Sequence, residues 1–414
     1  LASRRLTVRG SGFEGPLGLF LIAILGSILT NEERLRHRDS FILLGRTFVR
    51  EDLAIDVLKT FVFLLSFYIV FYLTISVVRD VRAIHAVLKI IVGTGTIVAF
   101  FALIEARTNY NVFDHLAGYL PGATFEGALT DAGIGRGGRL RVYASAQHPI
   151  ALAVLLVMLL PLAAYLWRYT RRAVWAGSAL LILVAAVSTV SRTSITTMAT
   201  VAVVFVWLRR DSVKRLWPLV LPALLAIHIA VPGAIGGIQE AFFPSHGLIQ
   251  DQTQFGGRVS PSRLRPQFHT IGAHPLFGEG YGTRITEATL RQNAIVLDDQ
   301  WLDTAVETGL VGFFAWIWFF ARFIRRAGRE AKRDRSSRGW LLTALTSSIA
   351  AFAVGMLTYD AFSFIQVTFI MFILAALGAC TLKAAGPWGP ESDRPPTVVR
   401  VPAARFRNPA REPA

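Results

Sequence analysis

The sequence predicts an all-α fold, a polytopic membrane helical bundle of about ten transmembrane helices. Three observations predict it. Of the 414 residues, 53% are hydrophobic and only 17% charged, and mean hydropathy is +0.49. The apolar residues arrive in runs near the length a helix needs to cross a bilayer core, about 20 residues. Lys and Arg gather in the short connections on one side, as cytoplasmic loops do.

The runs fall at 15–30, 55–78, 84–104, 149–167, 173–190, 194–208, 217–231, 305–324, 340–358 and 361–382. Inside lipid every backbone N–H and C=O needs an internal partner, so each run reads as a helix. The first, sixth and seventh are short. Arg4, Arg5 and Arg9 precede the first run with no small-residue cleavage site after it, which reads as a retained signal-anchor helix. With the N-terminus inside, Arg79, Arg82, Arg168, Arg171, Arg172, Arg209 and Arg210 also fall inside. So do the basic residues between Arg322 and Arg338 and those of the tail. Both termini are therefore expected in the cytoplasm. A net charge of +16 in a soluble chain would raise nucleic-acid binding; here it follows from loop bias, and no nucleic-acid partner is expected. The lone Cys380 excludes an intrachain disulfide and a cysteine metal site.

Three connections on the opposite side are long. Asn31–Ala54 mixes acids and arginines and reads as a solvated loop. Glu105–His148 ends in a glycine-rich stretch that brings Arg139 and Arg141 to the start of a span. Pro232–Asp299 is the longest, and a loop well above about 15 residues with internal periodicity reads as functional. Within it, Ser260-Pro261 signals a helix start. Leu264, Phe268 and Ile271 follow on one face, and His274-Pro275 ends the helix. Gly278, Gly280 and Gly282 predict a tight turn. A second helix starts near Asp298 and is expected to run unbroken into the span at 305–324. The domain reading is a transmembrane unit over 1–385, its large loop at 232–304, and a Pro- and Arg-rich tail at 386–414 expected to be disordered.

Arg192 is the sharpest single residue. It separates two apolar runs with no acid in the same hairpin, and an arginine near a membrane core costs at least about 2.5–3.5 kcal/mol unless partnered. Snorkelling, pairing with Glu307 or Asp360, and an anionic ligand all satisfy it. Arg141, Arg258, Arg263 and Arg265 lie on the same side, and guanidinium groups match phosphate oxygens in bidentate geometry. Singly, each also suits a solvated loop. Asp298 fits an N-cap, a general base, or both. Asp298 and Asp299 without further ligands predict no metal. His148 and His274, each before a proline, read as structural.

The order of these parts resembles the O-antigen ligase and O-antigen polymerase superfamily of membrane glycosyltransferases over roughly residues 80–380. The likeness rests on Arg141 eight residues before Pro149, on Ser191-Arg192 between two spans, and on Arg258, His274, Pro275, Gly278, Gly280 and Gly282. It continues through Asp298-Asp299-Gln300-Trp301-Leu302 to Glu307 and Gly309. Where the family often carries His-Asn, this chain has Asp298-Asp299, so the base role falls to Asp298 or is absent. Arg258 aligns only with adjusted spacing, which leaves Arg263 or Arg265 as its counterpart.

The resemblance implies a bundle similar to GT-C-type transferases in a bacterial cytoplasmic membrane. It also implies transfer of a glycan from a polyprenyl-pyrophosphate carrier to a hydroxyl of a glycan or lipid-glycan acceptor at the outer face. No nucleotide sugar, cofactor or metal is implied. Arg141, Arg192, Arg258 and Arg265 would bind the pyrophosphate, Asp298 and Asp299 would be catalytic, and His274, Gly278, Gly280 and Glu307 would shape the site. The competing readings are a transporter or flippase of lipid-linked glycan, a cell-wall glycan polymerase, and a noncatalytic relative. Inverted repeats, which a transporter would favour, are not visible.

Overall fold

A computed structural model describes residues 9–32, 40–43, 46–49, 53–118, 135–136, 139–216, 218, 220–231, 260–283, 298–384 and 388, with a few positions between 236 and 243. The helices are α1 (Glu14–Thr30), α2 (Leu53–Val77), α3 (Val81–Thr108), α4 (Pro149–Thr170), α5 (Ala173–Ser188) and α6 (Arg192–Leu216). They continue with α7 (Val220–Ala230), α8 (Pro261–Ala273), α9 (Gln300–Arg333), α10 (Ser337–Gly355) and α11 (Ile365–Lys383). Every apolar run of the sequence is a helix, and α8 is the helix expected inside the longest loop. Two small antiparallel hairpins add to this. One pairs β1 (Ser40–Leu43) with β2 (Arg46–Val49), inside the stretch read as a loop; the other pairs β3 (Gly135–Arg136) with β4 (Arg139–Leu140). The tail beyond 388 and Arg258 lie outside the described residues.

Five helices are long and apolar enough to cross a membrane by length and composition: Val57–Val77, α3, α4, α9 and α11. The apolar α1 and α5 are shorter. The chain is a multi-pass membrane protein. Lipid tails are as apolar as leucine, so its helices associate through close packing and interhelical hydrogen bonds. Helix α4 is the axis, buried against α5, α6 and α10. Where α10 meets it, Thr343, Ala344, Thr346, Ser347 and Ser348 keep the surface thin, and the Ser348 hydroxyl donates to the Met158 carbonyl at 2.6 Å. A second layer joins α1 to α9 and α2 to α11. Aromatic rings fill it: Phe20 stacks on Trp316 at 4.9 Å, Trp316 on Phe319 at 5.1 Å, and Phe67 on Phe372 at 5.5 Å.

Helix α9 differs from the sequence expectation of an unbroken run. It breaks at Gly309, where φ is 67° and ψ −170°. A kink in a membrane helix frees backbone groups that must be satisfied by protein. Here the turn over 274–283 satisfies them. The Leu310 amide donates to the Pro275 carbonyl at 2.8 Å, the Val311 amide to Leu276 at 3.4 Å, and the Glu279 amide to the Val306 carbonyl at 2.9 Å. Ser27 of α1 donates to the Glu307 carbonyl, and Asn31 donates to the Gly278 carbonyl at 3.1 Å. A Cβ on Gly278 would lie 2.4 Å from the Val306 oxygen, and one on Gly309 would lie 2.3 Å from the Leu276 oxygen. Two glycines separated by thirty residues are thus one feature, each clearing space for the other's backbone.

Candidate active site

Four connections meet at the end of the bundle where α4 and α6 begin and α10 finishes. The first carries Arg141. Glu105, near the end of α3, accepts the amides of Tyr143 and Ala144 at 3.1 and 2.8 Å and so fixes this connection on the bundle. His148 closes it: its Nδ1 accepts the Ile150 amide at 3.1 Å, capping α4, and its ring lies 5.4 Å from Phe364. Held this way, the Arg141 Nε donates to the Thr189 carbonyl at 3.2 Å.

Thr189 belongs to the second connection, the tight turn between α5 and α6. Val190 has a φ of 45°, a conformation that a β-branched residue rarely adopts. The facing connection also holds Ala144 at φ 44° and Gln147 at φ 60°. Left-handed non-glycine residues are costly, about 1–3 kcal/mol each, and cluster where a site requires them. The turn is stitched by Ser194, whose hydroxyl donates to the Ala186 carbonyl at 2.8 Å, and by Ser191, whose hydroxyl accepts the Thr193 amide at 3.2 Å. Arg192 is the first residue of α6 and half-buried. This helix runs unbroken only to a kink at Arg209, and its positive end and a guanidinium therefore coincide.

The third connection, 356–364, joins α10 to α11. Thr193 donates to the Thr358 hydroxyl at 2.8 Å, tying it to the arginine turn. The fourth is the start of α9. The Gln300 amide donates to the Met356 and Tyr359 carbonyls at 2.8 and 3.2 Å, and its side-chain oxygen accepts the Phe362 amide at 2.7 Å. This glutamine is buried and locks the start of α9 onto the third connection.

The two adjacent aspartates divide their roles. Asp299 caps α9, accepting the amides of Trp301 and Leu302 at 3.0 and 3.2 Å. That corrects the expectation of a cap at Asp298, which stands one residue outside the helix. Asp298 faces a carboxyl the sequence raised only as a partner for Arg192. Burial pushes the Asp360 carboxyl up from its ordinary range, the Ser363 hydroxyl and amide act the other way, and the nearby Asp298 charge raises it further.

Arg141, Arg192, Asp298 and Asp299 are therefore on connections that the fold ties together. Arg265 is exposed on α8, and no described contact joins it to them. The α8 face also departs from expectation. Phe268 is 61% exposed, and Gln267 is the buried residue instead. The helix lies beside α9 outside the main bundle, so its apolar stripe is not drawn inward. His274 is exposed and ends α8, its carbonyl accepting the Gly278 amide at 3.0 Å. Glu307 is buried beneath the glycine turn. Among the described residues no group of His, Cys, Asp and Glu has the arrangement of a metal site. Sequence reading missed Glu105 and Thr358, which act by holding other segments and carry no motif of their own, and it named Gln300 in a motif without foreseeing that it locks the third connection.

The fold is that of a multi-pass membrane protein, with Arg141, Arg192, Asp298 and Asp299 on connections at one end of the bundle. Residues 177–317 match the family model for O-antigen ligase, and this match supports the resemblance to the O-antigen ligase and polymerase superfamily. The matched stretch holds Arg192, the glycine turn and the start of α9 with both aspartates, while Arg141 and Asp360 flank it. The match supports glycan transfer of the ligase or polymerase type. No match among curated proteins is found.

Proposed function

We propose that the protein transfers a glycan from a polyprenyl-pyrophosphate carrier to an acceptor hydroxyl at the outer face of the bacterial cytoplasmic membrane, with both termini cytoplasmic. The observation that carries this reading is the tie between Arg141 and the Thr189 carbonyl. It sets one guanidinium beside the turn that begins α6 with a second. A lipid-borne donor stays in the bilayer, which suits a site at helix ends. Its departing diphosphate gains negative charge as the glycosidic bond breaks, and preorganised guanidinium and helix N-terminal amides stabilise that charge best. Arg265 and Arg258 are further members of this set through the large loop. Asp298 serves as the base for the acceptor hydroxyl; Asp299 holds the start of α9 in place. The attack inverts the anomeric centre and needs no metal in this scheme.

The test is transfer of a radiolabelled glycan from its polyprenyl-pyrophosphate by purified protein in liposomes. Wild type forms the product; Arg192→Ala and Asp298→Ala insert normally and do not. Movement of the labelled lipid across the bilayer with no new glycosidic bond would replace this reading with that of a flippase.

A further inference from the structure

Arg141 also lines a cavity of about 190 Å³. Its walls come from the end of α3, the short 3-10 helix Phe113–Gly118, and the connection that carries Arg141. Its chemistry is unlike a lipid or ion site. Tyr110, 46% exposed, is stacked on His115 with ring centroids 4.4 Å apart and planes 24° from parallel. Beside this flat pair stand the Asn109 amide, the Asp114 carboxylate and the Arg141 guanidinium.

The walls are fixed. Tyr143 donates its hydroxyl to Asp114, and burial followed by that bond pushes the phenol well up, so it remains a donor. The His115 Nδ1 is held at 2.9 Å from the Asn111 carbonyl, and the Asn111 amide donates to Ala144 at 3.1 Å. An aromatic face with amide, carboxylate and guanidinium at its edge matches a sugar ring. C–H bonds on one face of a pyranose lie against the aromatic π cloud, and the hydroxyls around its rim both donate and accept. A diphosphate alone would not need the ring pair, and a lipid tail would not need the polar edge.

We propose that this cavity holds a pyranose ring of the glycan substrate, seated beside the pyrophosphate site. The assignment rests on the reading of Arg141 as part of that site. The ring is either the first sugar of the donor or the terminal sugar of the acceptor, since both must come within reach of the departing phosphate.

Saturation-transfer NMR tests it directly. The probes are the methyl glycosides of glucose, galactose, mannose and N-acetylglucosamine. The protein is purified in a detergent without a sugar headgroup. Wild type transfers saturation to at least one glycoside. Tyr110→Ala binds that glycoside roughly tenfold more weakly, while Tyr110→Phe, which keeps the ring, binds as wild type. Arg192→Ala, which removes transfer, also keeps the signal. Tyr110 is solvent-facing, so its removal leaves the melting temperature unchanged and the loss is read at the site. No signal from wild type, or equal signals from wild type and Tyr110→Ala, would overturn the assignment and leave the ring as an interfacial anchor. A signal without any transfer activity would retain the sugar site and remove the transferase reading. In the transfer assay, a Tyr110→Ala effect on the donor KM places the donor sugar here, and an effect on the acceptor KM places the acceptor.

Discussion

At the end of the bundle where α4 finishes and α10 begins, Arg168 and Arg209 lie over the Trp340 ring at 4.1 and 5.0 Å. Arg209 is 2% exposed and also donates to the Asp334 carbonyl at 2.7 Å and the Thr343 hydroxyl at 3.2 Å. Arg338 reaches Asp334, Glu330 and the carbonyls that close α11. At the other end, Arg141 and Arg192 stand on connections with left-handed valine, alanine and glutamine residues, next to a carboxyl that burial disfavours as an anion. One end uses arginine to fasten helices, with the kink of α6 at Arg209 and the left-handed Arg171 at φ 57° among its residues. The other sets arginine, left-handed non-glycine residues and carboxyls on adjoining connections, and on that combination the proposed site is placed there.

The largest effect should come from the end of the proposed site. Arg192→Ala should reduce glycan transfer by on the order of 10²–10³, the usual consequence of losing one preorganised stabiliser of developing charge. Arg192→Lys should recover part of it, and membrane insertion should be normal by protease protection. Equal activity in Arg192→Ala and wild type would erase the contrast between the ends.

Gly309→Ala should follow. Its backbone conformation alone is worth about 1–3 kcal/mol against a non-glycine residue, and the Leu276 oxygen blocks the new methyl. A fall in melting temperature in detergent checks it, with Gly278→Ala expected to behave alike. The fastening end should respond in stability only. Trp340→Leu removes two cation–π contacts and should cost about 1–2 kcal/mol, while transfer per folded molecule remains that of wild type.

Asp360→Asn should change the pH profile. Because burial raises this carboxyl in the fold, the native state favours its protonated form. Its contribution is intact at pH below the ordinary carboxylate range and is lost as pH rises through the raised value. The amide should flatten that decline, seen as a smaller fall in melting temperature between acid and neutral pH. Last, Arg333→Ala removes a bond at 3.5 Å to Glu330 from a side chain 78% exposed. It should alter stability by no more than about 0.5 kcal/mol in thermal unfolding.

Hydropathy alone located every long helix, because a chain crossing lipid has no other way to satisfy its backbone. The Ser191-Arg192 turn was also legible, since a charge between apolar runs needs a reason. The break at Gly309 was not. An apolar stretch reads as one helix until the partner that takes over its amides is known, and that partner is a turn thirty residues away. Asp360 was legible only as a partner for Arg192, because its burial comes from packing around the third connection. Sequence reading placed the cap at Asp298 rather than Asp299, since a shift of one residue in helix start exchanges cap and outlier. Phe268 misled because α8 has an apolar stripe with no bundle against it.

The borrowed amides of α9 also set an order of events during synthesis. The turn at 274–283 leaves the ribosome before Gly309, so the carbonyls that accept the Leu310 and Val311 amides are already translated when those amides appear. Until the two dock, the first turns of α9 carry open carbonyls and amides that lipid cannot satisfy. Docking of this earlier turn is therefore a condition for α9 to lie in lipid with its backbone satisfied.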